Sequence, residues 1–216
     1  MRPAIAMAAL VLAACQQAPA STSDMASVSA PAKGGVRANL YQCEGCEAVF
    51  ETDTAALQNT ARIGPGFDKG PALTVDGVVY KADGKTPAPG VIIYAYQTNA
   101  EGRYANGAPE TVWSRRHGRL RGWVKSGPDG RYHFDTIKPA PYPSDTIPAH
   151  IHMTVLEPDK RPYWIDDIVF DGEFGVTPAY RKSMVNQGGN GIVPVRRDAD
   201  GNAGVVRDII LERHPT

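Results

Sequence analysis

The stretch Leu73-Thr-Val-Asp-Gly-Val-Val-Tyr-Lys81, followed at once by Ala82-Asp-Gly-Lys85, decides the fold class. Valine and threonine carry two heavy atoms on Cβ and suit a pleated strand, while Asp-Gly is a turn pair. The same pattern repeats down the chain. Residues 91–97 (VIIYAYQ) are a dense β-branched and aromatic run, and residues 120–126 lead into Gly127-Pro-Asp-Gly130, a turn that can return the chain along 131–137. Segments 150–156, 164–170, 191–196 and 205–212 supply four more candidate strands. Seven or more short strands, with no sustained helical periodicity beyond about residue 62, predict an all-β domain built as a β-sandwich. Residues 50–61 are the one stretch that reads as a helix, expected to pack on the sheet.

Outward from these strands, the 216-residue chain is long enough for one sizeable core. Its formal net charge is zero, so no basic stripe argues for nucleic acid and no acidic tract argues for a solvated tail. The 22 glycines and 18 prolines mostly punctuate apolar runs, as a turn-rich β domain requires.

The N-terminus reads differently. Arg2 precedes the apolar run 4–14, which ends in Leu12-Ala-Ala-Cys15. Eleven apolar residues are too few to span a bilayer as a helix but fit a secretory signal. The ending resembles a bacterial lipobox, which implies a signal peptide over 1–14, cleavage before Cys15 and lipid on that cysteine. The expected location is extracytoplasmic, on a bacterial membrane; Gln16 after the cysteine favours the outer one. Residues 15–35, rich in Ala, Ser and Pro, read as a flexible tether, and 36–216 as the folded domain. Cys43 and Cys46 remain. Cys-Glu-Gly-Cys has no second pair for a four-cysteine zinc site and no βαβ context for thioredoxin-like chemistry. In an oxidising compartment a structural disulfide is the expectation, ahead of a redox pair.

The densest chemical signal is Pro141-Tyr142-Pro143, followed by Pro148-Ala-His150-Ile-His152. Histidines at i and i+2 on a strand share a face, so both imidazoles can reach one metal ion while Ile151 points the other way. Alone, the pair is weak: an ordinary strand bearing two histidines is about as good a reading. Two imidazoles without a nearby thiolate suit zinc, copper, iron or nickel. Two added phenolates would favour ferric iron, because a phenol gives up its proton readily only to a highly charged ion. Spacing does not say which of the nine tyrosines would serve.

Over roughly residues 73–172 the chain resembles the intradiol ring-cleavage dioxygenases of the catechol and protocatechuate type. The motifs stand in order: Gly77-Val-Val-Tyr-Lys-Ala-Asp-Gly-Lys-Thr-Pro-Ala-Pro-Gly90, Tyr96-Gln-Thr-Asn-Ala-Glu-Gly-Arg-Tyr104, Arg121-Gly-Trp-Val124, Asp129-Gly-Arg-Tyr132 on to Pro143, and Pro148-Ala-His-Ile-His152. The resemblance implies an Fe(III) cofactor held by Tyr104, Tyr142, His150 and His152, which are also the catalytic residues. The implied partners are O2 and a small aromatic, catechol-type substrate that binds through both oxygens and is opened between its hydroxyl-bearing carbons. It also implies self-association through the N-terminal segment. Tyr132, in a second Gly-Arg-Tyr, reads as a cross-strand aromatic; His117 and His133 read as solvent-facing or locally hydrogen-bonded.

Two substrate-pocket positions depart from the family. Ile147 stands where the family usually has arginine, three residues before the first histidine. Asp167 is the nearest match to its usual glutamine. Both family side chains are thought to stabilise the substrate-derived anion. Arg115, Arg116, Arg119 and Arg121 are candidates to supply that charge instead, although a solvated loop is the simpler reading of them. A non-catalytic iron- or catecholate-binding surface lipoprotein is the alternative to an enzyme.

Overall fold

The computed structural model describes residues 35–66 and 68–216. The expected signal peptide, Cys15 and nearly all of the tether lie outside the described residues. Within them the strands are β1 (Thr60–Arg62), β2 (Ala72–Tyr80), β3 (Ile92–Gln97), β4 (Arg121–Lys125), β5 (Arg131–Ile137), β6 (His150–Leu156), β7 (Tyr163–Phe170), β8 (Ile192–Val193), β9 (Arg196–Arg197), β10 (Ala203–Val206) and β11 (Ile209–Ile210). Two short helices, α1 (Ser114–His117) and α2 (Pro178–Ser183), and a 3-10 turn over Cys46–Phe50 complete the set. One sheet has the order β1-β5-β2-β10-β9, with β11 also on β2; the other runs β4-β3-β6-β7-β8.

Alternation builds the sandwich. Along β2, Leu73, Val75 and Val79 point inward between more exposed neighbours. They meet Tyr132 and Phe134 from β5 and, from the other sheet, Ile93, Val124, Ile151, Met153, Val155 and Ile165 in one core. Burying each large apolar side chain contributes roughly 1.5–3 kcal/mol. Tyr132 is part of this core, opposite Gly77, and its hydroxyl donates to the Arg207 carbonyl at 2.6 Å.

Two of the expected strands are each divided in two. Segment 191–196 breaks at Pro194, which has no N–H to give a ladder: β8 pairs with β7 in one sheet and β9 with β10 in the other. Segment 205–212 breaks at Arg207, whose fully buried guanidinium donates to the carbonyls of Asp166, Gly188, Gly189 and Asp208. There the chain presses against β2 so closely that a Cβ on Gly77 would stand 2.1 Å from the Arg207 carbonyl oxygen. Only glycine fits.

The helix expected over 50–61 is absent. The 3-10 turn ends at Phe50, the Asp53 carboxylate accepts from the Ala55 N–H, and Thr60–Arg62 pairs in parallel with His133, Phe134 and Asp135. The free edge of β5 offers this segment a ladder that a short isolated helix, marginal in water, does not outweigh. The segment also bridges the sheets: the Gln58 carbonyl accepts from Lys125 N–H and the Asn59 carbonyl from His133 N–H.

Cys43 and Cys46 are joined as a disulfide at the head of the 3-10 turn. The turn covers the outer face of the second sheet, where Ala48 and Val49 pack with Ile92 and Tyr94 beside Trp113 and Trp123. This small second core backs the site described next.

Candidate metal centre

Strand β6 carries His150 and His152 on its outer face, while Ile151 between them is fully buried in the sandwich core. Tyr104 and Tyr142 arrive on two loops, one after β3 and one after β5. Asn99 shapes the first: its side-chain oxygen accepts from the N–H groups of Glu101 and Arg103. The loops are stitched together, the Thr98 hydroxyl donating to the Ala140 carbonyl at 2.8 Å and Ala140 N–H to the Asn99 carbonyl at 3.1 Å. At their closest approach Gly102, with φ +73°, lies so near Pro141 that a Cβ would sit 2.1 Å from its carbonyl oxygen.

Four side chains far apart in sequence thus close into a ring of donor atoms. Tyr104 Oη lies 2.7 Å from Tyr142 Oη, which is 3.2 Å from His150 Nε2. His150 Nε2 is 3.1 Å from His152 Nε2, which returns to Tyr104 Oη at 2.9 Å. The outer nitrogens are committed elsewhere. His150 Nδ1 donates to the Pro148 carbonyl at 2.7 Å, and His152 Nδ1 to the Asp167 carboxylate at 3.2 Å.

Counting hydrogens shows what the ring is short of. A carbonyl and a carboxylate only accept, so each imidazole carries its hydrogen on Nδ1 and turns a bare Nε2 inward. Four contacts then share two phenol hydrogens, and two contacts bring lone pairs face to face. A third hydrogen, were His152 an imidazolium, would still leave one contact unfilled. A cation among the four atoms removes the conflict. The four atoms stand 2.7 to 3.2 Å apart around the ring, close enough to share one ion. A carbonyl or carboxylate behind each imidazole is also how metal-ligating histidines are commonly held. The residues present fit a metal ion, and two phenol oxygens suit a hard, highly charged one.

Asp167 owes its place to a register shift. Ile151 pairs with Ile168 and Met153 with Ile165, so Asp166 and Asp167 together oppose His152. Sequence reasoning set Asp167 in the substrate pocket; the structure sets its carboxylate behind His152. Its oxygen also lies within 4.8 Å of ligand atoms on both histidines, making a His150–His152–Asp167 cluster. Burial pushes the Asp167 carboxyl up, but the electrostatic pull and hydrogen bond of the His152 ring outweigh it and hold it below the usual carboxylate range. Burial pushes both phenols up, Tyr104 further through its hydrogen bond to Tyr142, and pushes His150 down. With protein groups alone, the site keeps its phenols protonated and His150 neutral.

Ile147 is 41% exposed and brings no donor to the site. Of the four arginines considered as replacements, three hold carboxylates of their own: Arg116 pairs with Glu44, Arg119 with Asp68 and Arg121 with Glu51. His133 stays near the surface, hydrogen-bonded to Asp76 across the sheet. His117 differs from expectation. It is buried, with its ring lying 3.8 Å from that of Tyr96, because α1 folds it under the second core. No local pattern around His117 announces this.

The chain matches the Dioxygenase_C family model, described as dioxygenase, over residues 46–188. It is 39% identical over 115 residues to catechol 1,2-dioxygenase 1 of Acinetobacter lwoffii, covering 46% of this chain and 36% of that protein. It is 28% identical over 185 residues to hydroxyquinol 1,2-dioxygenase of Nocardioides simplex, covering 72% and 61%. The chain therefore spans less than two thirds of the length of these relatives. In fold it superposes on catechol 1,2-dioxygenase of Pseudomonas arvilla C-1 with a TM-score of 0.54 at 22% identity, covering 72% of this chain and 56% of that one. With the family match running from the 3-10 turn across the whole donor ring, this chain belongs to the intradiol dioxygenase family.

Proposed function

We propose that the chain is a non-haem ferric dioxygenase that adds O2 to a catechol-type substrate and opens the ring between its two hydroxyl-bearing carbons. The observation that carries this is the ring of Tyr104, Tyr142, His150 and His152 donor atoms, two hydrogens short of satisfying itself. Family membership supports the ring-cleaving chemistry, and the two phenols support ferric iron over softer or less charged ions.

In this reading His150 and His152 offer Nε2, while the Pro148 carbonyl and the Asp167 carboxylate hold their rings in the required tautomer. Tyr104 and Tyr142 give up their hydroxyl protons and balance two of three positive charges. A bound ferric ion would supply the Lewis acidity that draws electron density from a chelated catechol ring and readies it for O2. The chain's other task is to stabilise the negative charge that develops on the substrate, and here Ile147 offers no donor. Losing one such preorganised donor typically costs about 2.7–4 kcal/mol of barrier, or roughly 100–1000-fold in rate. Turnover slower than a site with arginine there is the expectation.

The test is oxygen uptake by the iron-loaded chain across unsubstituted, hydroxylated and alkylated catechols, with ring-opened acids followed by absorbance. Uptake stoichiometric with a muconate-type product supports the enzyme. A spectrum that shifts on adding catechol without any uptake across the panel supports a binding protein instead.

We further propose that the chain is anchored extracytoplasmically through lipid on Cys15. Radiolabelled palmitate should enter the wild-type chain in a Gram-negative host and be absent from Cys15→Ala. Equal labelling of both would overturn the anchor.

A further inference from the structure

Tyr96 stands directly opposite His152 in the β3–β6 register, and the two rings stack with centroids 4.4 Å apart and planes 25° apart. The other face of Tyr96 is covered by His117, at 3.8 Å and 7°. A buried histidine, a tyrosine and a donor of the ring thus form a three-layer stack. His117 cannot turn freely. Its Nδ1 lies 2.8 Å from the Tyr94 hydroxyl, and Tyr94 shares a strand face with Tyr96, two residues away. On its Nε2 side, a Cβ on Gly45 would come within 3.0 Å of that nitrogen. Gly45 belongs to the loop closed by the Cys43–Cys46 disulfide, so the backbone behind His117 is itself tethered. Trp113 closes a further side, its ring 5.4 Å away.

We propose that His117 is a positioning residue for the metal centre, acting through Tyr96 on the plane of the His152 imidazole. A hydrogen bond from Nδ1 to Asp167 fixes one edge of that ring but leaves it free to rock about the bond. A flat slab against its face removes the rocking, and the slab is flat only while His117 backs it. The hydroxyl of Tyr94 sets the His117 ring parallel to Tyr96, which a ring held by packing alone would not require. The disulfide-closed loop is the outer stop of the stack, so a segment remote from the donors in sequence reaches the His152 nitrogen through two rings. This inference rests on the metal-centre reading and adds to it a group that touches neither metal nor substrate.

The experiment compares the full wild-type chain with His117→Ala, His117→Phe and Tyr94→Phe, each checked for folding by thermal unfolding. Iron-loaded samples are challenged with EDTA while the visible band and the ferric EPR signal are recorded. Groups that touch a metal ligand directly typically matter about 10–100-fold in affinity. His117 acts one ring further out, so His117→Ala should lose iron about ten times faster, the low end of that range, and show a shifted band and altered EPR rhombicity. His117→Phe, which restores a flat ring but not the hydrogen bond to Tyr94, should recover part of the retention. Tyr94→Phe keeps every ring and removes only the hydroxyl, so it carries the test if His117→Ala does not fold, and should fall between wild type and His117→Ala. Iron retention and spectra unchanged in both His117→Ala and Tyr94→Phe would overturn the proposal. If the wild type takes up no iron, the metal reading fails separately, and long-range 1H–15N NMR of the metal-free chain decides the stack. Sharp, ring-current-shifted His152 ring signals in wild type that move and broaden in His117→Ala, or in Tyr94→Phe if His117→Ala does not fold, support positioning. An unchanged His152 signal overturns it.

Discussion

Ile147 stands three residues before His150, and its half-exposed side chain donates nothing to the site. Arginine at that position would not have to bury its charge, so Ile147→Arg should leave stability within about 0.5 kcal/mol. It should raise ring-cleavage turnover by roughly 100-fold, the usual worth of one preorganised donor. Steady-state oxygen consumption with catechol checks this, and an unchanged rate in a folded, iron-loaded variant would show that the missing donor does not limit the reaction. The histidine pair was legible from the sequence because alternation along a strand is local physics. Asp167 was not, since its contact with His152 comes from a one-residue register shift between β6 and β7. His117 was missed for a related reason: Trp113 is a local i,i+4 neighbour, but burial against Tyr94 and Tyr96 on β3 is tertiary, and no spacing in the chain encodes it.

At the scale of elements, β5 sits between β1 and β2, with His133 directly opposite Asp76. Burial pushes the His133 pKa down, but the hydrogen bond and charge of Asp76, joined by Asp135, push it up further, to above 6.5 in the folded state. The folded state therefore binds this proton more tightly than the unfolded chain does. Its contribution to stability is complete below about pH 6.5 and is lost as pH rises through the folded value. Replacing His133 by glutamine should lower the unfolding midpoint more at about pH 5.5 than at about pH 9. Equal drops at both pH values would contradict the linkage. The strand pattern also shows where local reading stops. Residues 150–156 form a strand as expected, whereas 205–212 divides because Arg207 turns inward to four backbone carbonyls. Residues 50–61 read as helical, yet Thr60–Arg62 is recruited by the open edge of β5.

Seen whole, the molecule is a sandwich whose candidate site lies outside its main core. The two sheets bury one set of strand residues between them, while the outer face of the second sheet carries the donor ring and is backed by the disulfide-closed N-terminal turn. Strands fix the two histidines, and two loops clasped at Gly102 and Pro141 fix the two tyrosines. That division explains what the sequence carried. Motif order pointed to the family and to the four side chains that the fold brings together, while the layer behind them required the folded chain. The measurement that bears most directly on the central claim is the visible spectrum of the full chain loaded with ferric iron, read beside Tyr104→Phe and Tyr142→Phe. The account predicts one iron per chain and a tyrosinate-to-iron charge-transfer band that is shifted or lost in each variant. A colourless wild-type chain that binds no iron, or a band indifferent to both substitutions, would contradict it.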